Sequence, residues 1–151
     1  MTKVLLSIHV LAAIIAIGPV AVAASMFPPT ARRTLAAPDP DLATLRVLHR
    51  ICRVYAAVGV AVPVFGLATA SSLGVLGDTW LLVSIALTAV AAGVLVLLVL
   101  PRQQAVLTAL ADPRAKPTLP TSLAAHVGVF NLLWAAVTIL MIVRPGSTTG
   151  A

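Results

Sequence analysis

The side chains in this sequence best suited to bind a metal ion or a haem are those of the three histidines, the single cysteine and one of the three methionines, Met141. The histidines are His9, His49 and His126, and the only cysteine is Cys52. A single cysteine excludes an intramolecular disulfide and a multi-cysteine metal site. Imidazole nitrogen is a ligand for copper and for haem iron. A cofactor site therefore depends on which other residues can reach a histidine.

Depth along the helices keeps the histidines apart. Each helical residue advances about 1.5 Å, which places His9 and His126 roughly 18 Å apart in a hydrocarbon core about 30 Å thick. By the same spacing His49 and His126 differ in depth by roughly 12 Å. At the depth of His9 the better companion is Met141, because histidine and methionine together can bind copper or haem iron. We predict His9 and Met141 as cofactor ligands and His9 as a metal ligand. The alternative is a neutral His9 that hydrogen-bonds a neighbouring helix.

Four uncharged apolar runs set the framework for these residues. They are long enough to cross a membrane, which takes about 20 apolar residues, and they cover residues 4–27, 54–73, 79–100 and 123–143. The chain is 60% hydrophobic and 9% charged, far from the composition of a soluble domain. We predict an all-α fold in which residues 1–151 form a single integral membrane domain, a four-helix transmembrane bundle.

Basic residues predict the orientation of the bundle. Eight of the ten lysines and arginines lie in the connections after the first and third spans, and such residues favour the cytoplasmic side. We therefore predict both termini outside and the two longer connections in the cytoplasm, in a multi-pass protein of a bacterial plasma membrane. This placement also predicts contact with anionic lipid head groups and no nucleic acid partner. A cleaved signal sequence ending near Ala23 is the alternative, but cleavage would export the arginine-rich connection.

The first connection contains a basic helical face. Pro28 and Pro29 are predicted to end the first helix, and Asp39 is predicted to cap a second helix that runs unbroken into the second span. Helical spacing then brings four basic side chains to one face. This face is either a docking site for an anionic lipid, partner or substrate, or an anchor that extends to the head groups. Its residues are Arg46, His49, Arg50 and Arg53.

Polar and small residues inside the spans predict how the helices pack. Asn131 should hydrogen-bond a neighbouring helix, and with Trp134 it could line a pocket or simply fill the core. Thr121 or Ser122 can cap the last span. Kinks are expected at Gly18–Pro19 and at Pro63, since proline removes a helical hydrogen bond. Pairs of small residues one turn apart allow close helix contacts, including Ala12 with Ala16, Ala57 with Ala61, and Ala89 with Gly93.

The first span resembles the opening helix of an uncharacterised family of small four-span bacterial integral membrane proteins. His9, Val10 and Leu11, with Gly18 nine residues after the histidine, carry this resemblance. More distantly, the span is similar to copper-resistance D-type proteins and HemJ-type protoporphyrinogen oxidases. That similarity implies a metal or haem role for His9. Those groups commonly have a tryptophan seven residues after the histidine, where this chain has Ala16, and a glycine where it has Pro19.

Three function classes remain, and we rank them in order. The first is a structural or accessory membrane protein without enzymatic activity, as a homo-oligomer or within a larger membrane complex. The second is a haem- or copper-binding redox or metal-handling protein that uses His9. The third is a small transporter or export factor with kinked helices. All four acidic residues are aspartates outside the spans, which argues against a proton-driven carrier. No residue is predicted to be catalytic.

Overall fold

The protein is an all-α bundle of four membrane-length helical segments, as the sequence predicts. The computed structural model describes residues 2–37, 41–112, 114–115 and 118–146. Four segments within them are long and apolar enough to cross a membrane: Thr2–Ala36, Ala43–Leu73, Thr79–Ala111 and Ser122–Val143. Each contains one of the four predicted spans. Their elements are α1 (Thr2–Ala36), α2 (Ala43–Val58), α3 (Ala61–Leu73), α4 (Thr79–Gly93), a π-helical segment (Val94–Val99), α5 (Leu100–Ala111) and α6 (Ser122–Val143).

The outer surface of the bundle is apolar, as in a multi-pass membrane protein. Large hydrophobic side chains such as Leu97, Leu132 and Ile142 each expose more than two thirds of their surface. Exposing such an apolar surface to water would be unfavourable, whereas its contact with the hydrocarbon of a bilayer is not. The buried side chains of the interior pack in one continuous cluster. Its members include Ala24, Phe27, Ala31, Leu45, Cys52, Leu95, Val99, Leu123 and Phe130.

The two ends of the bundle differ in chemistry. At the terminal end, which carries the start of α1 and the end of α6, Trp80 packs with Ala70 and Leu81 and donates its indole N–H to Asp78 over 2.9 Å. The guanidinium of Arg144 lies 5.6 Å from the centre of the Trp80 ring. At the opposite end, called the basic end below, α1 finishes, α2 begins and α5 lies beside α2. Trp80 thus joins three helices at the terminal end.

The first helix does not stop where the sequence predicts. The helix is not interrupted at Gly18–Pro19, and the kink expected there stays a prediction. α1 continues through Pro19, Pro28 and Pro29 to Ala36, so the expected end after residue 27 is wrong. The reason is tertiary packing. Phe27, Pro28, Ala31 and Thr34 are all buried and form a helical face on α1. Contacts with neighbouring helices can hold a proline-containing helix together in a membrane protein.

Pro63 has the expected effect on the second segment. It has no N–H to donate to the Gly59 carbonyl, which instead accepts from the Val62 N–H over 3.1 Å. The helix therefore breaks at Gly59 and Val60, between α2 and α3, and it is not the unbroken helix that we expected. The predicted cap Asp39 lies outside the described residues, while Asp41 accepts from the Ala43 N–H over 2.8 Å.

Two other local expectations fail. Thr121 precedes α6, but neither it nor Ser122 caps the helix through a side-chain hydrogen bond. Among the small residues, Ala16 is fully buried as expected, whereas Ala57 and Ala89 face outward and do not pack inside this chain. Ala91 is the buried alanine of α4.

A π-helical segment sets the direction in which α5 faces. Ala91, Leu95, Val99, Gln103 and Leu107 are all buried, at intervals of four residues. In an α-helix every fourth residue is rotated by about 40° from the last, so the first and last of these would face nearly opposite sides. The wider π turn at Val94–Val99 absorbs much of this rotation. It keeps the polar side chain of Gln103 directed into the bundle.

Candidate functional site

The basic face of α2 forms one wall of a groove at the basic end. α5 forms the opposite wall, and the cavity between them has a volume of about 840 Å³. The structure therefore brings together, around one cavity, the four residues predicted as a lipid or partner face. The groove is lined by Arg46, His49, Arg50, Arg53, Val54, Ala57, Gln104, Leu107, Thr108, Ala111 and Asp112.

Charge in the groove is strongly positive. Arg46, Arg50 and Arg53 are exposed, and Asp112 is the acidic residue among the described residues that line the groove. Three arginines therefore face one carboxylate in the described lining. Arginine offers a planar set of donors that matches the oxygen atoms of phosphate or carboxylate. An anion with several oxygens is the ligand that this groove suits.

His49 is held in place from behind by two buried polar side chains. Its Nδ1 donates a hydrogen bond to Oε1 of Gln103 over 3.0 Å, and Nε2 of Gln103 donates to Sγ of Cys52 over 3.7 Å. Gln103 is fully buried and His49 is nearly so. With Nδ1 engaged, Nε2 is the ring nitrogen of His49 left for a ligand in the groove.

Gln103 is the important residue that the sequence reasoning missed. It follows Pro101 and Arg102, which look like the start of a loop, and we placed the end of the span at residue 100. The sequence signal that could have found it is the helical spacing of Val99, Gln103 and Val106, which continues past the proline. In the structure all three side chains are buried. Gln104, Thr108 and Asp112 of the groove were missed for the same reason.

His9 lies far along the chain from the groove and connects α1 to α3. Its side chain is 8% exposed, and Nδ1 donates to the backbone carbonyl of Val62 over 2.9 Å. The ring packs against Gly66, where a Cβ atom would lie only 2.9 Å from Cε1 of His9. The absent side chain of Gly66 is what lets the imidazole approach α3. This is the interhelical hydrogen bond that the sequence analysis gave as the alternative role.

The two contacts described for His9, with the Val62 carbonyl and with Gly66, are not contacts with a copper or haem ligand. Met141, its predicted companion, packs with Ala70, Trp80 and Leu81 at the terminal end. Among the described residues, no group of three or more histidine, cysteine or acidic side chains could hold a metal ion. A ligand role for His9 would need Nε2, because Nδ1 is bonded to Val62, and that role stays a prediction.

Asn131 makes the interhelical contact predicted for it. Its Nδ2 donates to Oγ of Ser25 on α1 over 3.0 Å. Trp134 packs edge-on against Phe130, with the ring centres 6.4 Å apart, and contacts the main core. Three buried polar atoms on α6 have no hydrogen-bond partner: Nδ1 of His126, Oδ1 of Asn131 and Nε1 of Trp134. Asn131 and Trp134 thus make packing contacts, and neither lines the groove between α2 and α5. Their predicted role in a pocket stays a prediction.

The contact between His9 and Gly66 predicts a specific loss of stability. Replacing Gly66 with alanine should displace the imidazole and break its bond to the Val62 carbonyl, lowering the free energy of unfolding by about 1 kcal/mol. Thermal unfolding of the detergent-solubilised protein, followed by circular dichroism, measures this. Gly18→Ala is the control, because a Cβ atom at Gly18 meets nothing within 4 Å. In a His9→Ala background Gly66→Ala should cost nothing, and an equal cost there would show that the His9 contact is not the cause.

Known proteins give no further guide to the site. Comparison of the chain with protein-family models, with curated proteins and with solved structures finds no match.

Proposed function

We propose that this protein is an accessory protein of the bacterial plasma membrane that binds the phosphate head group of an anionic lipid in the groove between α2 and α5. The observation that carries the proposal is the meeting of Arg46, His49, Arg50 and Arg53 around one cavity. Basic pockets at the cytoplasmic ends of membrane helices are the usual sites for anionic head groups. The concentration of arginine and lysine at this end supports a cytoplasmic position.

The walls of the groove support a lipid rather than a water-soluble anion. Beside the arginines the groove is lined by Val54, Ala57 and Leu107, which lie on the same helices as the membrane-length apolar segments. A phospholipid presents a charged phosphate next to apolar acyl chains, and this combination matches both parts of the lining. A soluble phosphate compound would leave the apolar part uncovered.

Native mass spectrometry of the protein in a mild detergent tests the proposal. Phosphatidylglycerol and phosphatidylcholine with identical acyl chains are added in turn, and the bound fraction of each is measured. We expect phosphatidylglycerol to bind roughly tenfold more tightly, since each arginine near a membrane surface contributes about 1 kcal/mol toward anionic lipid. Raising the salt concentration should reduce the difference.

Two results would overturn the proposal. Equal affinity for the two lipids would show that the groove does not select negative charge. In a second experiment the competitor is glycerol 3-phosphate, which has a phosphate but no acyl chains. If it displaces phosphatidylglycerol at similar concentrations, the natural ligand is a soluble phosphate compound and not a lipid.

A further inference from the structure

We infer that the groove selects a lipid whose phosphate carries an amino acid, as in phosphatidylserine, and that Asp112 and Arg46 bind the ammonium and the carboxylate of that amino acid. This inference rests on the proposed function and specifies the head group of its ligand. It is carried by two observations: the order of the charges along the groove, and the negative character of the end of α5.

The charged residues of the groove lie at different depths. α2 runs from the basic end into its apolar segment and α5 runs out of its own, and the hydrogen bond between His49 and Gln103 sets their register. At about 1.5 Å per residue from that level, Arg46 lies about 5 Å and Asp112 about 14 Å farther out, whereas Arg53 lies about 6 Å farther in. Arg46 and Asp112, called the outer pair below, therefore form the outer part of the lining.

Side-chain direction narrows the gap within the outer pair. Helical side chains lean toward the N-terminus of their helix, which for α2 is the outward direction. The long side chain of Arg46 therefore extends toward the level of Asp112. Both residues are exposed, and both line the same cavity. The outer pair thus offers one positive and one negative group to a single ligand.

The end of α5 is suited to a cation. The last four carbonyl groups of an α-helix have no partner within the helix and carry partial negative charge. Residues 108–111 form the last turn of α5 and include no basic side chain, and Asp112 follows them directly. Oδ1 of Asp112 accepts the Arg114 N–H over 2.9 Å, which holds the carboxylate while its second oxygen can accept from a ligand. An ammonium group is favoured here by both the carboxylate and the helix end.

The inner part of the groove determines where the phosphate of a lipid lies. Val54 and Ala57 belong to the lining, lie farther in than Arg53 and are apolar, so they suit the start of the acyl chains. The phosphate then lies beside Arg53 and Arg50. The rest of the head group extends outward from the phosphate, toward the outer pair.

Phosphatidylserine has the complementary charges in the same order. At neutral pH its phosphate and carboxylate are negative and its amino group is positive, and the serine lies on the far side of the phosphate from the acyl chains. The carboxylate matches the planar donors of Arg46, and the ammonium matches Asp112. Phosphatidylglycerol has the same net charge, but its glycerol gives the outer pair no charged partner. The lining therefore favours one of two lipids that carry equal charge.

Competition between phosphatidylserine and phosphatidylglycerol with identical acyl chains tests the inference on the unmodified protein. Because each lipid has one net negative charge, a difference in affinity cannot come from general charge attraction. Native mass spectrometry at pH 7 should show roughly tenfold tighter binding of phosphatidylserine, the factor given by one good hydrogen bond between charged groups. Equal affinities would overturn the inference.

The variant Asp112→Asn tests the contact with the ammonium. Asparagine keeps Oδ1 as the acceptor for the Arg114 N–H but removes the negative charge. Lower negative charge should raise the affinity for both lipids alike, so the ratio of the two affinities is the quantity to measure. We expect this ratio to fall by at least about threefold. The matched control is Asp41→Asn, because Asp41 is exposed, accepts the Ala43 N–H over 2.8 Å and does not line the groove. It should keep the preference.

The variant Arg46→Gln tests the contact with the carboxylate. Glutamine keeps a hydrogen-bond donor but not the positive charge, and we expect the same fall in the preference for phosphatidylserine. Arg33→Gln is the control, because Arg33 is an exposed arginine on α1 that does not line the groove. An equal fall in both variants would mean that Arg46 has no special contact with the lipid.

The possible outcomes separate the inference from the proposed function. If phosphatidylserine and phosphatidylglycerol bind equally well and both bind more tightly than phosphatidylcholine, the inference fails and the proposed function stands. If phosphatidylcholine binds as tightly as either, both fail. A preference for phosphatidylserine that is unchanged in Asp112→Asn would overturn the inference. Displacement of phosphatidylserine by glycerophosphoserine, which has no acyl chains, at similar concentrations would show that the ligand is soluble, and both would fail.

Discussion

Replacing Arg46, Arg50 and Arg53 together with alanine should lower the affinity for phosphatidylglycerol by roughly a hundredfold or more. Each arginine can donate hydrogen bonds to phosphate oxygens, and a hydrogen bond to a charged group contributes about 1.5–3 kcal/mol. The three contributions are not additive, so the estimate lies below their sum. Titration with phosphatidylglycerol in native mass spectrometry measures the loss.

A control for general electrostatics is available on the same end of the bundle. Arg32 and Arg33 are exposed near the end of α1 and do not line the groove. Their joint replacement with alanine removes positive charge from the basic end and leaves the groove intact. We expect a change of at most a few fold. A loss as large as that of the triple variant would mean that surface charge attracts the lipid and that the groove has no special part.

Replacing Gln103 with methionine should destabilise the bundle and weaken the binding of phosphatidylglycerol in the same variant. Methionine is close to glutamine in size but cannot accept the Nδ1 hydrogen of His49, which would then be buried without a partner. Such a group costs about 1–3 kcal/mol. The imidazole is also free to turn away from the groove. Thermal unfolding measures the first effect, and lipid titration measures the second.

Gln104→Met is the matched control for stability. Gln104 is the next residue of α5, but its side chain is exposed and donates to Thr108 on its own helix, over 3.4 Å. The same substitution there should leave the unfolding temperature nearly unchanged. If the two variants unfold alike, the network from His49 to Cys52 contributes nothing to the stability of the bundle.

The four helices are predictable from the sequence because hydrophobicity alone determines which segments can cross a bilayer. Helix ends are less predictable, since they depend on contacts between distant parts of the chain. Pro28 and Pro29 would end an isolated helix, yet the buried face of Phe27, Ala31 and Thr34 carries α1 onward. Pro63 does break its segment, with its local hydrogen bonds rearranged at Gly59.

Of the two walls of the groove, only the one formed by α2 is predictable from the sequence. Helical spacing alone brings Arg46, His49, Arg50 and Arg53 to one face, and this needs no knowledge of the fold. The opposite wall depends on the π-helical segment Val94–Val99, which no sequence pattern that we used could predict. That segment sets the rotation of α5, and through it the position of Gln103 beside His49.

The position of His9 along its helix does not predict which residues it contacts. Depth placed it near Met141, but depth does not say which helices are in contact or how they are rotated. In the structure the determining neighbour is Gly66, a residue that the sequence analysis did not single out. A glycine opposite a histidine is a local shape match, and it becomes visible only when α1 and α3 are in contact.

Contact between the arginines of the groove and the lipid phosphorus is the central claim, and solid-state NMR measures it directly. Protein with ¹⁵N-labelled arginine is reconstituted in bilayers that contain phosphatidylglycerol, and the dipolar coupling of guanidinium nitrogen to ³¹P is recorded. We expect a population of nitrogens in close contact with phosphorus that disappears when Arg46, Arg50 and Arg53 are replaced with alanine. An unchanged coupling in that variant would contradict the account, because the contacts would then come from arginines outside the groove.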